Sequence, residues 1–561
     1  MKRTIFTSTL TALLITALSI PGTSSNRFYA HAQEVGADAA PGDLDTSFGD
    51  GGKVTINLPG RSVYCAALAM QTDGKIIVVG NASSPEDIVV GRLNTDGLAD
   101  TTFGNDGFVI TDFSNSADSA YAVALQTDGR IVIAGGSYKG SAISEDFALA
   151  RYNVDGSLDT SFGNGGKVTT DFSGAGDVAF NVVIQTDGKI VAGGSANNPN
   201  SHSSDFALAR YNANGSLDSS FGSGGKVVTD FFGRFDAITS LAIQPDGKII
   251  GAGYTMKSTA ADSIDFALAR YDAGGSLDPG FGISGKTTTD FFGFTDNIEA
   301  VRLGKNGAII VAGECFSGHG NDFDNFALAR YKANGTLDES FGTDGKVFTD
   351  FAGHQDGAFA LAIQSDDKII AAGLSIVGDP SAGNDFALAR YTPNGSLDNS
   401  FGNAGKVTTD FFGKGDDAYA IALQPDGHLV LAGDAFQPGL PSASAIGIAV
   451  ARYKVGDIAT PGFSLGFEQS PVAGERGTTV KVHVLINRTG GFTGNVTVTP
   501  PDTSGLGIKV KPPVDIPTTE DLVTFKLKLK GDASPGPHQL TFIARDDSGR
   551  TVSATLTIVI Q

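Results

Sequence analysis

Tryptophan is absent from this sequence of 561 residues, and only two cysteines occur, Cys65 and Cys315. Two distant cysteines cannot build the dense disulfide framework of a small secreted scaffold, so packing has to stabilise the fold. We expect both to be free thiols. Charged residues make up only 18% of the chain and hydrophobic residues 41%, which excludes a long disordered protein. No apolar run reaches the roughly 20 residues that a transmembrane helix requires.

Positive charge is scarce, since 40 Lys and Arg face 61 Asp and Glu, for a formal net charge of −21. A general grip on nucleic acid needs a basic face that neutralises phosphates, so nucleic acid is excluded as a partner. Two catalytic signatures are also missing, because the sequence contains neither an HExxH nor a CxxC motif. These absences favour a binding or structural role.

The N-terminal segment has the order of features found in secretory signals. Lys2 and Arg3 precede an apolar run from Leu10 to Ile20, and Ala30-His31-Ala32 follows. A basic start, a short apolar run and small residues at a cleavage site predict a signal peptide over residues 1–32, cut near Ala32. We therefore expect a secreted or periplasmic protein without membrane insertion after cleavage.

A repeat of roughly sixty residues occupies most of the chain. Each copy contains a QxDGK-like turn, a FALAR-like segment and an LDxSFG-like loop. Glycine is abundant, at 75 residues, which favours strands joined by turns. The FALAR-like segments end at Arg92, Arg151, Arg210, Arg270, Arg330, Arg390 and Arg452.

Each repeat predicts four short strands, which we name A to D. In one copy they are Tyr121–Gln126, Ile131–Gly135, Phe147–Tyr152 and Lys167–Phe172, and an Asp-Gly turn joins A to B as a hairpin. Strand C is apolar or small on both faces, as expected for sheets stacked on both sides. Seven such units predict an all-β fold with a seven-bladed β-propeller over residues 41–455. A β-solenoid is the alternative.

The phase of the repeat predicts how the ring closes. The first strand after the signal, Lys53 to Leu58, is of type D, whereas the last repeat ends with a C strand at Tyr453. We expect the N-terminal strand to complete the last blade, which removes exposed sheet edges. The strand-C arginines are expected to pair with the acid of the LDxSFG loop, as in Arg151 with Asp159.

The strings QTDGKI, FALARYN and GSLDTSFGNGGKV resemble the bacterial propeller repeat known as the delta-60 repeat. The resemblance covers residues 41 to 453, about three quarters of the chain. It implies a β-propeller in an exported bacterial protein, and it implies no particular activity.

The last part of the chain has a different pattern. Residues 462–561 alternate polar and apolar positions in short runs such as Leu522 to Leu529 and Thr551 to Ile560. This pattern predicts a β-sandwich of about 100 residues. It resembles the immunoglobulin-like or fibronectin-like modules of exported bacterial proteins, although it lacks the cysteine pair and core tryptophan of antibody domains.

Acids recur at one end of the predicted sheets. Strand A is normally innermost, so acids just before it are expected around the mouth of the central channel, where they would bind a cationic ligand or Ca²⁺, which favours carboxylate oxygens. Alternatively, each carboxylate caps backbone N–H groups of its own loop. Six repeats carry such an acid: Asp118, Asp177, Asp236, Asp296, Asp356 and Asp416.

Two histidines, His319 and His354, fall in loops predicted at the same end. With Asp296 or Asp356 they would form a metal or acid–base cluster. The alternative is that they are surface residues.

The leading hypothesis from the sequence is an exported binding or scaffold protein that presents variable propeller loops to an extracellular polymer or protein. A second hypothesis is a polymer-acting enzyme that uses Asp236, Asp296 and Asp356 with His354 as base. The third is calcium-dependent adhesion. No cofactor is firmly implied, and Ca²⁺ is the possible ion.

Overall fold

The computed structural model describes residues 40–83, 86–113, 117–138, 145–200, 203–258, 264–316, 318, 324–351, 353–377, 381, 383–441, 445–456, 462–467, 472–489, 495–501, 503, 505–510, 514–516, 522–546 and 551–561. The predicted signal peptide, residues 1–32, lies outside the described residues. Within these ranges, no helix combines the length and apolar character needed to cross a membrane. A short 3-10 helix spans Lys305–Gly307.

In the described part of residues 53–453, twenty-eight strands form seven four-stranded sheets. In chain order they are β1 (Lys53–Ile56); β2 (Val63–Met70), β3 (Ile76–Ala82), β4 (Asp87–Leu93), β5 (Phe108–Thr111); β6 (Asp118–Leu125), β7 (Ile131–Tyr138), β8 (Glu145–Tyr152), β9 (Lys167–Thr170); β10 (Asp177–Ile184), β11 (Ile190–Asn198), β12 (Ser203–Tyr211), β13 (Lys226–Thr229); β14 (Asp236–Ile243), β15 (Ile249–Met256), β16 (Ile264–Tyr271), β17 (Lys286–Thr289); β18 (Asp296–Leu303), β19 (Ile309–Phe316), β20 (Asp324–Tyr331), β21 (Lys346–Thr349); β22 (Asp356–Ile363), β23 (Ile369–Ser375), β24 (Asp385–Tyr391), β25 (Lys406–Thr409); β26 (Asp416–Leu423), β27 (Leu429–Phe436) and β28 (Ile446–Tyr453).

Each of these seven sheets is antiparallel, with its strands in the order A-B-C-D. In six of them the four strands are consecutive in the chain. The last sheet has the order β1-β28-β27-β26, so its D strand comes from the N-terminal side of the repeats. Lys53 lies opposite Ala451 and Ile56 opposite Ile448. The N-terminal strand therefore takes the place that the phase of the repeat predicts for it.

Neighbouring sheets share apolar cores, because strands B and C bury residues on both faces. In β8 the residues from Asp146 to Tyr152 are all buried. The seventh sheet also packs on the first, since Val430 and Ile448 share a core with Val63 and Val78. The row of sheets thus closes on itself.

An arginine–aspartate ion pair, buried or half-buried, lies at the end of each sheet where strands C and D are connected. Arg151 Nε donates to Asp159 Oδ2 at 2.9 Å, and its guanidinium lies 4.5 Å from the centroid of the Phe162 ring. Arg151 also donates to the carbonyl oxygen of Ala213 in the next repeat, which links adjacent sheets. The predicted pairing of strand-C arginines with loop acids is confirmed here, and the same pair recurs in the other sheets.

Residues 462–561 contain two further sheets, ordered β29-β31-β35-β33 and β30-β37-β36-β32-β34. Both contribute to one apolar core that includes Phe525 and Leu527 from one sheet and Phe542 and Leu556 from the other. The strands are β29 (Gly462–Phe467), β30 (Val472–Gly474), β31 (Thr479–Thr489), β32 (Val496–Thr499), β33 (Ile508–Lys509), β34 (Val514–Ile516), β35 (Leu522–Leu529), β36 (Gly536–Asp546) and β37 (Thr551–Ile560).

Candidate functional site

The six aspartates predicted at the channel mouth are the first residues of the A strands β6, β10, β14, β18, β22 and β26, and all six are fully buried. In each, Oδ2 accepts a hydrogen bond from the backbone N–H five residues earlier; Phe172 N lies 2.7 Å from Asp177 Oδ2. The expected position at an open mouth is therefore wrong, because the D-to-A connection folds over the carboxylate. The equivalent bonds come from Phe113, Phe231, Phe291, Phe351 and Phe411.

Four of these aspartates meet two further acids at the junction between adjacent sheets. In one junction, Asp146 comes from strand C, Asp171 follows strand D, and Asp177 begins strand A of the next sheet. One carboxylate oxygen from each lies within 4.8 Å of the others. We call these groups the acid clusters: Asp146/Asp171/Asp177, Asp205/Asp230/Asp236, Asp265/Asp290/Asp296 and Asp385/Asp410/Asp416. Such clusters can hold a metal ion.

Burial changes the protonation of the clusters. Burial raises the pKa of Asp177 to about 7, against the Phe172 amide that stabilises its charged form, and the negative charges of Asp171 and Asp146 raise it further. The same causes raise the pKa of Asp236 and of Asp296 to about 7. Near neutral pH, the strand-A aspartate of these clusters is therefore present in both its protonated and its ionised form.

The neighbouring lysines compensate this charge only in part. Lys226 Nζ donates a hydrogen bond to the backbone carbonyl oxygen of Asp171 at 3.0 Å, and this contact is with the main chain of the cluster residue. In the third cluster, Lys257 forms an ion pair with Asp265.

Two of the three remaining junctions keep aspartates but differ from the four clusters, and the third, between the last and first sheets, has Gly447, Asn57 and Val63 at the equivalent positions. Asn325 replaces the strand-C aspartate beside Asp350 and Asp356. In the first sheet, Arg61 forms an ion pair with the strand-C aspartate, with Arg61 Nη2 2.8 Å from Asp87 Oδ2. A third carboxylate is thus absent in one junction and paired with arginine in the other.

The predicted histidine cluster is only partly within the described residues. His319 lies outside them, and His354 lies in the connection between β21 and β22, two residues before Asp356. Asp236 and Asp296 belong to different acid clusters. The structure therefore does not bring the acids of the proposed polymer-acting enzyme into one group.

A central cavity of about 780 Å³ is lined by the A strands of all seven sheets. Each A strand contains a β-bulge, for example between Ala120 and Ala122, where the register with β7 shifts. A bulge adds one residue and turns its side chain out of the regular alternation. The added residues are Ala66, Tyr121, Phe180, Thr239, Glu299, Phe359 and Tyr419, and all of them line the cavity.

A glycine in strand B makes room for each bulge. A Cβ on Gly135 would lie 1.8 Å from the carbonyl oxygen of Ser119, and one on Gly194 would lie 1.8 Å from that of Val178. Only glycine permits so close an approach. A side chain of the preceding sheet can bond the bulged backbone, as Asn81 Oδ1 does when it accepts from Ala120 N at 2.7 Å.

These cavity residues were missed from the sequence. Two features of the sequence could have indicated them. A glycine recurs in strand B, and the strand-A position opposite it varies from repeat to repeat among Ala, Tyr, Phe, Thr and Glu, although the rest of strand A is rich in alanine.

Six segments of the chain match the model of a family described as a domain of unknown function (DUF5122) beta-propeller: residues 71–103, 126–162, 185–221, 244–281, 305–341 and 364–401. No curated protein matches the chain. Among solved structures it is similar to a catalytically inactive variant of virginiamycin B lyase from Staphylococcus aureus with quinupristin, at 10% identity and a TM-score of 0.29, covering 85% of this chain and 99% of that chain. It is also similar to a glucose dehydrogenase, at 12% identity and a TM-score of 0.33, covering 59% of this chain and 95% of that chain. The family match and the recurring four-stranded sheets together indicate that the repeat region has a β-propeller fold.

Proposed function

We propose that the protein is an exported, non-catalytic binding scaffold whose acid clusters hold Ca²⁺. In this proposal the seven sheets are the blades of a closed propeller of the delta-60 type, and residues 462–561 form an immunoglobulin-like sandwich that serves as a spacer or second adhesive module. The partner is an extracellular polymer or protein.

The observation that carries the proposal is the same group of three carboxylates at four sheet junctions. Ca²⁺ binds several carboxylate and carbonyl oxygens with flexible geometry, which suits acids contributed by three different strands. A divalent cation would also neutralise the like charges that raise the pKa of Asp177 and its equivalents.

The position of the clusters supports a role in organising a binding surface. They lie at the end of the sheets where strand B connects to strand C, and these connections differ in length and sequence among the repeats. Variable connections on a rigid scaffold are common positions for binding specificity. Ca²⁺ bound between adjacent sheets would hold their ends together beneath these connections.

The test is calorimetric titration of EDTA-treated protein with Ca²⁺, followed by measurement of the melting temperature. We expect saturable binding and a higher Tm, because a ligand that binds only the folded state stabilises it. The variant Asp171→Asn removes one exposed carboxylate of a cluster and should remove one site. Asp350→Asn is the matched control, since its junction contains Asn325 and should bind no Ca²⁺ in either form. Absence of both heat and a Tm shift would contradict the proposal.

A further inference from the structure

We propose that the central cavity binds an elongated zwitterion, a molecule with an ammonium group at one end, a carboxylate at the other and an apolar body between them. This inference goes beyond the Ca²⁺ scaffold, because it concerns residues of the A strands that take no part in the acid clusters.

Two charged residues of opposite sign occupy the cavity. Among the described residues that line it, Glu299 and Arg302 are the charged ones, and both belong to β18. The position of Arg302 in the repeat is otherwise small and apolar in every sheet: Ala69, Ala124, Val183, Ala242, Ala362 and Ala422. A guanidinium at this level of the cavity is therefore particular to one sheet.

The two charges are not used to neutralise each other. The ion pairs of the described residues do not include Glu299 with Arg302, and the guanidinium donates to the backbone carbonyl of Val301 at 2.8 Å. Surrounding protein lowers the pKa of Arg302, although its side chain remains accessible to solvent within the cavity. The two positions are three residues apart on β18, so their backbones are separated by about 10 Å along the strand axis. A ligand whose two charges stand at opposite ends of an aliphatic chain matches a spacing of this order.

The level of Glu299 suits an ammonium group. Burial raises the pKa of Glu299 to about 7, and Tyr254 lines the same cavity, its pKa raised by burial and further by the charge of Glu299. An ammonium ion would pair with the carboxylate and favour its ionised form.

Aromatic rings that line the same cavity suit an apolar body. Tyr121 and Phe180 contact each other with ring centroids 5.2 Å apart, and Phe359 and Tyr419 do so at 5.6 Å. The two pairs come from sheets on either side of the one that carries Glu299. Aromatic faces bind methylene groups and cations alike, so they complete a site for an aliphatic chain that ends in an ammonium group.

The experiment is calorimetric titration of the full chain with 6-aminohexanoate, with hexylamine and hexanoate as analogues that each lack one charge. We expect 6-aminohexanoate to bind about tenfold or more tightly than either analogue, because each charged end makes a charge-assisted hydrogen bond. Titrations in EDTA and in Ca²⁺ should agree, which separates this site from the acid clusters.

Two variants assign the ends of the ligand. Arg302→Gln should reduce the affinity for 6-aminohexanoate to that for hexylamine and leave hexylamine binding unchanged. Glu299→Gln should reduce it to that for hexanoate. Lys305→Gln, which removes a cation from an exposed ion pair with Asp367, is the control and should have no effect.

Equal affinity for 6-aminohexanoate and hexylamine would overturn the proposal in favour of a simple cation site. No binding of 6-aminohexanoate at millimolar concentration would overturn it as well. Both of these outcomes are read from the unmodified protein, so the proposal stays testable if a variant fails to fold.

Discussion

Asp45 and Arg452 form a buried ion pair with an N–O distance of 2.6 Å, although they stand at opposite ends of the repeat region. The guanidinium also lies 4.8 Å from the centroid of the Phe48 ring. Within each other repeat, the equivalent pair joins residues of the same copy, as Arg151 and Asp159 do. The last sheet therefore depends on the N-terminal segment for its ion pair as well as for strand β1.

Loss of this pair should destabilise the protein strongly. Asp45→Ala leaves the guanidinium of Arg452 buried without its carboxylate, and breaking a buried pair from one side costs about 3 kcal/mol or more. Urea unfolding should show this loss as a lower midpoint.

Asp338→Ala provides the matched control for this measurement. The side chains of Arg330 and Asp338 are 16% and 22% exposed, whereas those of Arg452 and Asp45 are 7% and 6% exposed. Solvent can replace the lost carboxylate more easily at Arg330, so the decrease should be smaller. An equal decrease in both variants would show that burial of the pair does not determine its contribution.

Without metal, the protein should become less stable between pH of about 4 and about 7. Burial raises the pKa of Asp177, Asp236 and Asp296 to about 7, while an unfolded aspartate has a pKa of about 4. Between these values the folded state holds protons that the unfolded state has lost, so the free energy of unfolding falls as the pH rises. Melting temperatures measured in EDTA across this range should therefore decrease.

Asparagine at the same positions should reduce this dependence on pH. In Asp177→Asn the amide oxygen can still accept from Phe172 N, but the group carries no charge in either state. Combining it with Asp236→Asn should flatten the curve further. Asp155→Asn, in an exposed turn whose sister copy already has Asn214, should leave the curve unchanged. A slope that is the same in all variants would assign the dependence to other groups.

The incomplete junction offers a gain of binding. Asn325→Asp restores a third carboxylate beside Asp350 and Asp356, in the arrangement of the four acid clusters. We expect the number of Ca²⁺ ions bound per chain to rise by one in calorimetry, because the other parts of the cluster are already in place.

Asn334→Asp tests whether added charge alone has this effect. Asn334 lies in a turn after strand C, where its Oδ1 accepts from the Thr336 hydroxyl at 2.8 Å. This variant should leave the stoichiometry unchanged. If Asn325→Asp also leaves it unchanged, three neighbouring carboxylates are insufficient for binding at these junctions.

Much of the architecture can be predicted from the periodicity of the sequence, whereas the burial of the strand-A aspartates cannot. The repeat predicts the sheets, the partners of Arg151 and the strand that starts at Lys53. It also predicts which end of the sheets Asp177 occupies. Its burial depends on a connection that folds back so that Phe172 N reaches the carboxylate, and this contact requires a three-dimensional arrangement that spacing does not contain.

The cavity residues are hidden from the sequence for a different reason. Alternation in a strand assigns side chains to two faces with a period of two, and a single bulge reverses the assignment beyond it. The bulge at Tyr121 depends on the close approach of Ser119 to Gly135 in the neighbouring strand. Counting along strand A alone therefore gives the wrong face for part of the strand.

This dependence makes Gly135 the position where the bulge can be tested. In Gly135→Ala the new Cβ would lie 1.8 Å from the carbonyl oxygen of Ser119, so strand A must move and the bulge at Tyr121 must be distorted. We expect a loss of stability of about 1 to 3 kcal/mol in urea unfolding, as for other overpacked sites. Gly531→Ala is the control, because a Cβ there meets no atom within 4 Å, and its effect should stay within about 0.5 kcal/mol. Similar stability of the two variants would mean that the bulge does not require glycine and that the cavity ring is held by other contacts.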